Sequence, residues 1–246
     1  MSLSVLFIGG RASSARPASS APSRSDSKVT VPNRGTTAIR PLPDGVRQVR
    51  GDIRDPDSVR AALGDESFDV VVEFAAFTPE HVQQDIDLFA GRTAQYVFIS
   101  SASAYQTPPT RLPITESTPA AEPLPGVLAG QDRLRGPPGG GVPPERLPDH
   151  HRPPSHTNDR TALPVDGGWT IIDLMRRGDE VVVLGDGTSL WTLTHTDDVA
   201  VGLVGLFGAS AAIGEAFHIT GDETPTWIRS TAHSRRRPES RRASCT

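Results

Sequence analysis

The amino-acid sequence predicts an α/β fold built on a doubly wound parallel sheet. Its short, unbroken apolar runs are typical of parallel strands that are buried on both faces. Helical patterns lie between these runs, and strands that alternate with helices build a parallel sheet. The predicted strands are Ser4 to Ile8, Asp69 to Phe74, Gln95 to Ser100 and Glu180 to Leu184. The predicted helices are Asp57 to Leu63 and Pro79 to Ala90.

Composition limits the classes of protein to which this chain can belong. The 246 residues carry a net charge of -4, which gives no global case for binding nucleic acid or a membrane surface. The apolar runs are too short to span a bilayer, and the first residues read as a buried strand rather than a signal peptide. A single cysteine, Cys245, excludes a disulfide framework and a cysteine metal site. We therefore expect a cytoplasmic protein without a membrane partner.

Three stretches interrupt the alternation of strand and helix. Residues 11–28 contain no aliphatic or aromatic side chain larger than alanine, residues 120–154 are rich in proline and glycine, and residues 229–246 consist largely of arginine and serine. Such segments bury too little apolar surface to fold, so we expect the first two to be irregular and the last to be a disordered tail. The histidines of the second stretch and its flank match no zinc spacing, and no metal site is predicted.

Several motifs follow the predicted strands. "SVLFIGG" ends in paired glycines, "VTVPNRG" ends in a polar turn, and "GDIRD" is a short acidic loop. "VVVEFAAF" closes with small residues, and "FISSASAY" places a serine cluster at the end of a strand. The most specific pattern is "VVVLGDGTSLWTLTHTDDVAVGLVGLFG", which has the form G-D-G followed by H-x-D-D-V-A and an amphipathic helix.

Together these motifs resemble the extended short-chain dehydrogenase/reductase family, the NAD-dependent epimerases and dehydratases. The resemblance covers most of the chain outside the three irregular stretches. It implies a Rossmann-type doubly wound parallel sheet with a small C-terminal substrate lobe, partly disordered. We expect an NAD(P)-binding domain over residues 1–165, a substrate lobe mixed with the last sheet strands over residues 166–228, and the tail from residue 229.

The resemblance also implies a cofactor site. Paired glycines let the backbone approach a pyrophosphate, the end of the second strand reads the adenosine ribose, and Asp52 accepts a hydrogen bond from the adenine amine. An acidic residue at that strand end favours NAD, whereas Arg34 suits the 2′-phosphate of NADP, so both remain open with a lean to NADP. The expected cofactor-binding residues are Gly9, Gly10, Asn33, Arg34, Asp52, Ile53, Ala75, Ala76 and Ser100.

Ser101 is the expected catalytic serine, which would hydrogen-bond the substrate oxygen while a tyrosine, assisted by a lysine four residues later, moves the proton. No Y-x-x-x-K occurs in the chain, so we expect impaired turnover. The expected substrate contacts are Ser103, Tyr105, Trp191 and His195. Tyr105 also suits simple packing beside the pocket, and His195 suits a structural role before a helix capped by Thr196 or Asp197.

Function by resemblance is therefore epimerisation, dehydration or reduction of a sugar-like small molecule. Trp191 stands where nucleotide-sugar enzymes of the family usually carry an arginine, which argues against a nucleotide-sugar substrate. A second interpretation is a non-catalytic relative that binds a dinucleotide or RNA, although nucleic acid is the less favoured partner. The oligomeric state stays open, because the helix that carries Y-x-x-x-K often forms the family's dimer.

The missing residues have a possible source in a neighbouring reading frame. Shifted by one base, the junction of Val127 and Leu128 permits a tyrosine codon, and the junction of Gln131 and Asp132 four codons later permits lysine. Other shifted readings permit the rest of the glycine motif after Gly10 and a helix after residue 227. Recovery at three places where the fold requires it leads to the hypothesis of a frameshift-disrupted gene.

Overall fold

The computed structural model describes residues 2–9, 27–35, 42, 44–100, 105–106, 108–119, 157–159, 163, 168–183 and 185–235. Within them, a five-stranded parallel sheet forms the centre of the molecule. Its strands are β1 Ser4–Ile8, β2 Lys28–Asn33, β3 Arg47–Arg50, β4 Phe68–Glu73 and β5 Thr93–Phe98. The α/β fold with a doubly wound parallel sheet is confirmed.

The order of the strands across the sheet is β3-β2-β1-β4-β5. The chain thus moves outward from β1 to β3, returns to the other side of β1 for β4, and continues to β5. Such a reversal leaves a crevice at the carboxyl ends of the two central strands, which is where open α/β sheets bind ligands. Here the reversal lies between β1 and β4, whose registers align Ile8 with Glu73.

Helices cover both faces of this sheet. Successive side chains of a strand point to opposite faces, so Leu6 belongs to one buried cluster and Phe7 to the other. The first face packs against helices α1 Pro56–Leu63 and α2 Pro79–Phe89. The second packs against the apolar side of the helix that follows His195. Nearly continuous apolar strands are therefore required, as the sequence indicated.

Side-chain caps stabilise the starts of the first two helices. Asp55 accepts hydrogen bonds from the backbone N–H groups of Asp57 and Ser58 at 3.1 and 3.3 Å, which satisfies two donors of the first turn of α1. Thr78 caps α2 in the same way through the N–H of His81, at 3.4 Å. Proline occupies the first turn of both helices, where its missing N–H costs nothing.

The C-terminal part of the described chain is built from short elements. A two-stranded parallel pair joins β6 Thr157–Asn158 to β7 Thr194–His195. The helices are α3 Trp169–Arg177, α4 Thr196–Gly205 and α5 Trp227–Arg235. Gln95 of β5 anchors the end of α4 to the sheet, because its amide donates to the carbonyl of Leu206 and accepts from the N–H of Gly208.

Two expectations about this region are wrong. Residues 180–183 of the predicted strand Glu180 to Leu184 are not in a strand, and Val182 has 90% of its surface exposed. A buried strand needs a neighbour to pair with, and no described strand lies beside it. The tail is not disordered from residue 229, because α5 continues to Arg235. The hydroxyl oxygen of Thr226 accepts from the N–H of Arg229 at 3.2 Å, which starts this helix.

Other expectations fall outside the described residues. These include most of the two irregular stretches, residues 11–26 and 120–154, as well as Gly10, Ser101 and Ser103. Lys28, at the end of the first stretch, is the first residue of β2 rather than part of an irregular segment. The separate substrate lobe over residues 166–228 stays a prediction. Within the described ranges, every helix is too short or too polar to cross a membrane.

Candidate dinucleotide site

The residues expected to hold a cofactor follow the carboxyl ends of β1, β2 and β4. Gly9 comes directly after β1, and Asn33 is the last residue of β2. Ala75 and Ala76 come two and three residues after Glu73, the last residue of β4. The parallel arrangement brings these ends to one edge of the sheet, beside the reversal of strand order. This edge is where the topology creates a crevice, so a dinucleotide site there stays a prediction that the topology permits.

Gly9 lies close against the turn that follows β4. Its φ of 75° lies in the left-handed region, where an L side chain is strained. A Cβ at this position would lie 3.1 Å from Cβ of Ala75 and 3.2 Å from Cβ of Phe74. Only glycine fits without moving the turn after β4, so this part of the motif serves the close contact of two turns.

The end of β2 offers polar groups and positive charge. Oδ1 of Asn33 accepts from the N–H of Gly35 at 2.9 Å and from Nε2 of Gln48 at 3.0 Å. Nδ2 of Asn33 is buried and has no partner among the described residues, which leaves a donor for a ligand to satisfy. Arg34 is exposed beside it, and Arg50 pairs in register with Asn33 from β3.

The loop "GDIRD" is fixed by its own side chains. The N–H of Asp52 donates to Oγ of Ser58 at 3.1 Å, and one carboxylate oxygen of Asp52 accepts from the N–H of Arg54 at 3.0 Å. The side chain of Ile53 packs against the buried cluster, and its carbonyl accepts from Nε2 of Gln84 on α2. The loop is thus held at a set distance from α2, beside the end of β2.

The turn after β4 is shaped by a buried carboxyl group. The N–H of Ala75 donates to Oε1 of Glu73, and the N–H of Phe74 donates to the carbonyl of Ile8 at 3.0 Å. Ala76 is buried, whereas Phe77 has 84% of its surface exposed. The N–H of Ile99 donates to the carbonyl of Glu73, and this bond brings the next residue, Ser100, close to the turn after β4.

Tyr105 is buried and hydrogen-bonded to a histidine that the sequence did not single out. Its hydroxyl bonds Nε2 of His218, and the two rings meet edge to face with centroids 5.4 Å apart. The N–H of His218 donates to a carboxylate oxygen of Glu116 at 2.8 Å. Burial acts to raise the pKa of this carboxyl, but the bond from His218, with the other hydrogen bond and the charge of His218, lowers it overall. The expected packing role of Tyr105 agrees with these contacts.

The other two expected substrate residues make structural contacts. The ring of Trp191 lies against that of Trp227, with centroids 5.7 Å apart. Nδ1 of His195 accepts from the N–H of Asp197 at 3.2 Å, so His195 is the N-cap of α4. The expectation that Thr196 or Asp197 caps this helix is therefore wrong. Both of those residues lie inside the helix, because the chain is already helical at Thr196.

Sequence reasoning missed three polar residues at this edge. Glu73 directly follows the apolar run of β4, and it is buried whereas the strand's other acid, Asp69, is exposed. Gln48 and Arg50 lie on β3, next to Asn33, and only the register of β2 with β3 reveals their place. No periodicity in the sequence distinguishes them from ordinary surface residues.

Comparisons with known proteins bear on the fold and its relatives. No family model matches the chain. The chain is 29% identical over 206 residues to the 2′-dehydrokanamycin reductase of Streptomyces kanamyceticus. The matched region covers 81% of this chain and 56% of that protein. The chain thus spans little more than half the length of this relative.

Solved structures match nearly the whole chain. WbmG of Bordetella bronchiseptica, in complex with NAD and UDP, has a TM-score of 0.70 at 15% identity over 95% of this chain and 78% of that one. The epimerase Mth375 of Methanothermobacter thermautotrophicus has a TM-score of 0.68 at 15% identity over 95% of this chain and 76% of that one. The chain has the fold of the NAD-dependent epimerases and dehydratases.

This epimerase/dehydratase fold agrees with the resemblance carried by the motifs. The described residues also fit a dinucleotide on their own chemistry. A Cβ at Gly9 would crowd the turn after β4, and the buried Nδ2 of Asn33 has no protein acceptor among the described residues. Gly9, Asn33, Asp52 and Ala75 would hold the cofactor, with Arg34 at the end of the adenosine ribose.

Proposed function

We propose that the chain belongs to the extended short-chain dehydrogenase/reductase family and binds NAD or NADP at the carboxyl ends of β1, β2 and β4. The proposal rests on one observation: the described residues that we expect to bind the cofactor lie at or after the carboxyl ends of the parallel strands, the edge of the sheet at which the strand order reverses. The similarity to a reductase and the likeness to NAD-bound structures support it. A bound nicotinamide supplies hydride chemistry at a carbonyl or hydroxyl carbon.

The reaction class that fits is oxidation or reduction of a sugar-like hydroxyl or carbonyl, within epimerisation, dehydration or simple reduction. Ser101 would hydrogen-bond the substrate oxygen in this reaction. The chain has two tyrosines, and neither Tyr96 nor Tyr105 has a lysine four residues later. The family's proton relay is therefore missing, and we propose that this chain turns over slowly or not at all.

The frameshift hypothesis explains this combination of an intact sheet and a missing relay. Its test is the coding DNA around codons 10, 119, 153 and 227, which bracket the three stretches that interrupt the alternation of strand and helix. An insertion or deletion near each position supports the hypothesis. An intact frame throughout would contradict it, and the missing relay would then be a property of the natural protein.

Two arginines at the end of β2 favour NADP as the cofactor. Arg34 is exposed directly after β2, and Arg50 of β3 is the register partner of the neighbouring Asn33. A guanidinium binds a phosphate with two hydrogen bonds, and the 2′-phosphate distinguishes NADP from NAD. Fluorescence titration of the full chain with NADPH and with NADH tests this. We expect Arg34→Ala to weaken NADPH by about tenfold, equivalent to about 1.4 kcal/mol, with little effect on NADH.

The matched control is Arg60→Ala. Arg60 is an exposed arginine on α1 that pairs with Asp57 one turn away, at 3.0 Å, and removing it leaves the end of β2 unchanged. It should leave both affinities as they are. Equal weakening of NADPH and NADH by Arg34→Ala would contradict the preference for NADP and leave dinucleotide binding itself in place.

The second candidate is a protein that binds the dinucleotide without catalysing a reaction. The missing Y-x-x-x-K favours it, since binding needs the turns after β1 and β4 while catalysis needs the relay. An assay with NADPH and sugar ketones separates the two. Cofactor binding without oxidation of NADPH supports the binding protein, whereas turnover supports the enzyme. Salt-steep RNA binding without cofactor binding would contradict both.

A further inference from the structure

Four ionisable side chains meet beneath the candidate site. They come from four separate elements: Arg54 from the loop before α1, Glu73 from the end of β4, Asp85 from α2 and Tyr96 from β5. The side chains of Glu73 and Asp85 are fully buried. The hydroxyl of Tyr96 donates to Oδ2 of Asp85 at 2.8 Å. We call these four residues the acid cluster.

The charges of the acid cluster balance only if one carboxyl group keeps its proton. Nη2 of Arg54 lies 3.5 Å from Oε2 of Glu73, and Nη1 lies 3.9 Å from Oδ1 of Asp85. One guanidinium offsets one carboxylate, and a second carboxylate would be a buried charge without a counter-ion, which costs several kcal/mol. The neutral arrangement therefore has a single ionised carboxyl group.

The hydrogen bonds indicate which group holds the proton. Asp85 already accepts from Tyr96, and its Oδ1 is buried without a hydrogen-bond donor among the described residues. A protonated Glu73 provides such a donor. Burial, and after it the charge of Asp85, raises the pKa of Glu73 well above its usual value of 4.5. Burial also raises the pKa of Asp85, against the lowering effect of hydrogen bonds from Glu73 and Tyr96.

The acid cluster contacts the turn after β4 and the "GDIRD" loop, which we expect to form two walls of the dinucleotide site around the adenosine. Glu73 accepts from the N–H of Ala75, which sets the turn after β4. Nη1 of Arg54 donates to the carbonyl of His81 at 3.5 Å, which draws the "GDIRD" loop toward the start of α2. Among the described residues, His81 is a further titratable group beside the cluster, and a protonated His81 would favour the ionised form of Asp85.

We propose that Glu73 is a positioning residue for dinucleotide binding, which keeps a proton, bonds it toward Asp85 and so holds the turn at Ala75 and the loop at Arg54 at a fixed spacing. This role rests on the proposed function. Loss of the proton to water leaves a second buried carboxylate, which competes with Asp85 for Arg54 and disturbs both walls. Cofactor affinity then falls as pH rises through the raised pKa of Glu73.

Calorimetric titration of the full chain with NADPH, from mildly acidic to alkaline pH, tests this role. For the wild-type chain we expect the affinity to fall at high pH, by up to about tenfold per pH unit beyond that pKa. Glu73→Gln should keep the acid-side affinity and lose the pH dependence. Its amide oxygen still accepts from Ala75, and its amide nitrogen donates to Asp85 without a proton to lose.

Asp87→Asn is the matched control, because Asp87 is exposed on the same helix as Asp85 and bonds only the side chain of Gln83 among the described residues. It should follow the wild-type profile. Circular dichroism and thermal melting at each pH confirm that every variant is folded during the titration. Glu73→Ala, which loses both bonds, should bind NADPH weakly at every pH.

The results separate the two proposals. The same alkaline weakening in Glu73→Gln as in the wild-type chain would overturn the positioning role, and so would a flat wild-type profile. Either result leaves dinucleotide binding in place. Absence of binding of both NADPH and NADH to the wild-type chain at every pH would overturn the proposed function, and the positioning role with it.

Discussion

Residues at the carboxyl edge of the sheet have two different roles: some set the spacing of the turns, and others carry polar atoms that the described protein groups leave without a partner. Gly9 and Ala75 set how closely two turns approach, while Asn33 keeps a buried donor that no described group accepts from. By contrast, the hydroxyl of Tyr105 and Nδ1 of His195 make hydrogen bonds within the protein. Residues with a free polar atom at the edge are the better candidates for ligand contact.

Tyr105→Phe tests the structural role of Tyr105. The substitution keeps the buried ring and removes the hydroxyl that bonds His218, which leaves a ring nitrogen without that partner. We expect the free energy of unfolding, measured in urea, to fall by about 1 kcal/mol, which is the net value of a typical buried hydrogen bond. An unchanged free energy of unfolding would show that the bond contributes nothing. Tyr96→Phe, which leaves a buried carboxylate oxygen without its donor, should cost more, about 2 kcal/mol.

At the level of elements, local sequence predicted most of the structure. Apolar runs gave three of the five strands, β1, β4 and β5, to within two residues, and helical patterns gave both early helices to within one residue at each end. The predicted strand at residues 180–184 failed because an apolar run forms a strand only where a neighbour can pair with it. Helix α5 was missed because its start depends on Thr226 and on Trp227 packing against Trp191.

The same limit applies to the candidate site. Motifs named the segments that line it, since their turns require small residues. They did not reveal the acid cluster, because Arg54, Glu73, Asp85 and Tyr96 lie on four elements and meet only when the sheet and α2 are assembled. Contacts of this kind depend on register and helix packing, which no local pattern encodes.

Asp55→Ala tests whether the cap of α1 contributes to stability. Asp55 accepts from two N–H groups of the first turn, and its loss leaves both to water. We expect the free energy of unfolding in urea to fall by about 1 kcal/mol. Asp57→Ala, in the same turn, removes only an exposed pair with Arg60 and should cost less than about 0.5 kcal/mol. Equal effects of the two substitutions would contradict the capping role.

For the molecule as a whole, the acid cluster predicts how stability depends on pH. The folded state holds the proton of Glu73 more tightly than the unfolded state, where the pKa is near 4.5. This contribution is fully present below that pKa and is lost as pH rises through the raised value. We expect the free energy of unfolding to decline with rising pH over this interval, and Glu73→Gln to reduce the slope. A slope that is the same in both proteins would contradict a proton on Glu73.

We expect the sheet to bind a dinucleotide although the proton relay is missing. Calorimetric titration of the full chain with NADPH and NADH at slightly acidic pH tests it most directly, with Gly9→Ala and Gly45→Ala as a matched pair. Both glycines have positive φ, but only a Cβ at Gly9 meets the turn after β4, at 3.1 Å from Ala75. The account predicts one-to-one binding in the micromolar range, retained in Gly45→Ala and weakened in Gly9→Ala. No saturable binding of either dinucleotide to the folded wild-type chain would contradict it.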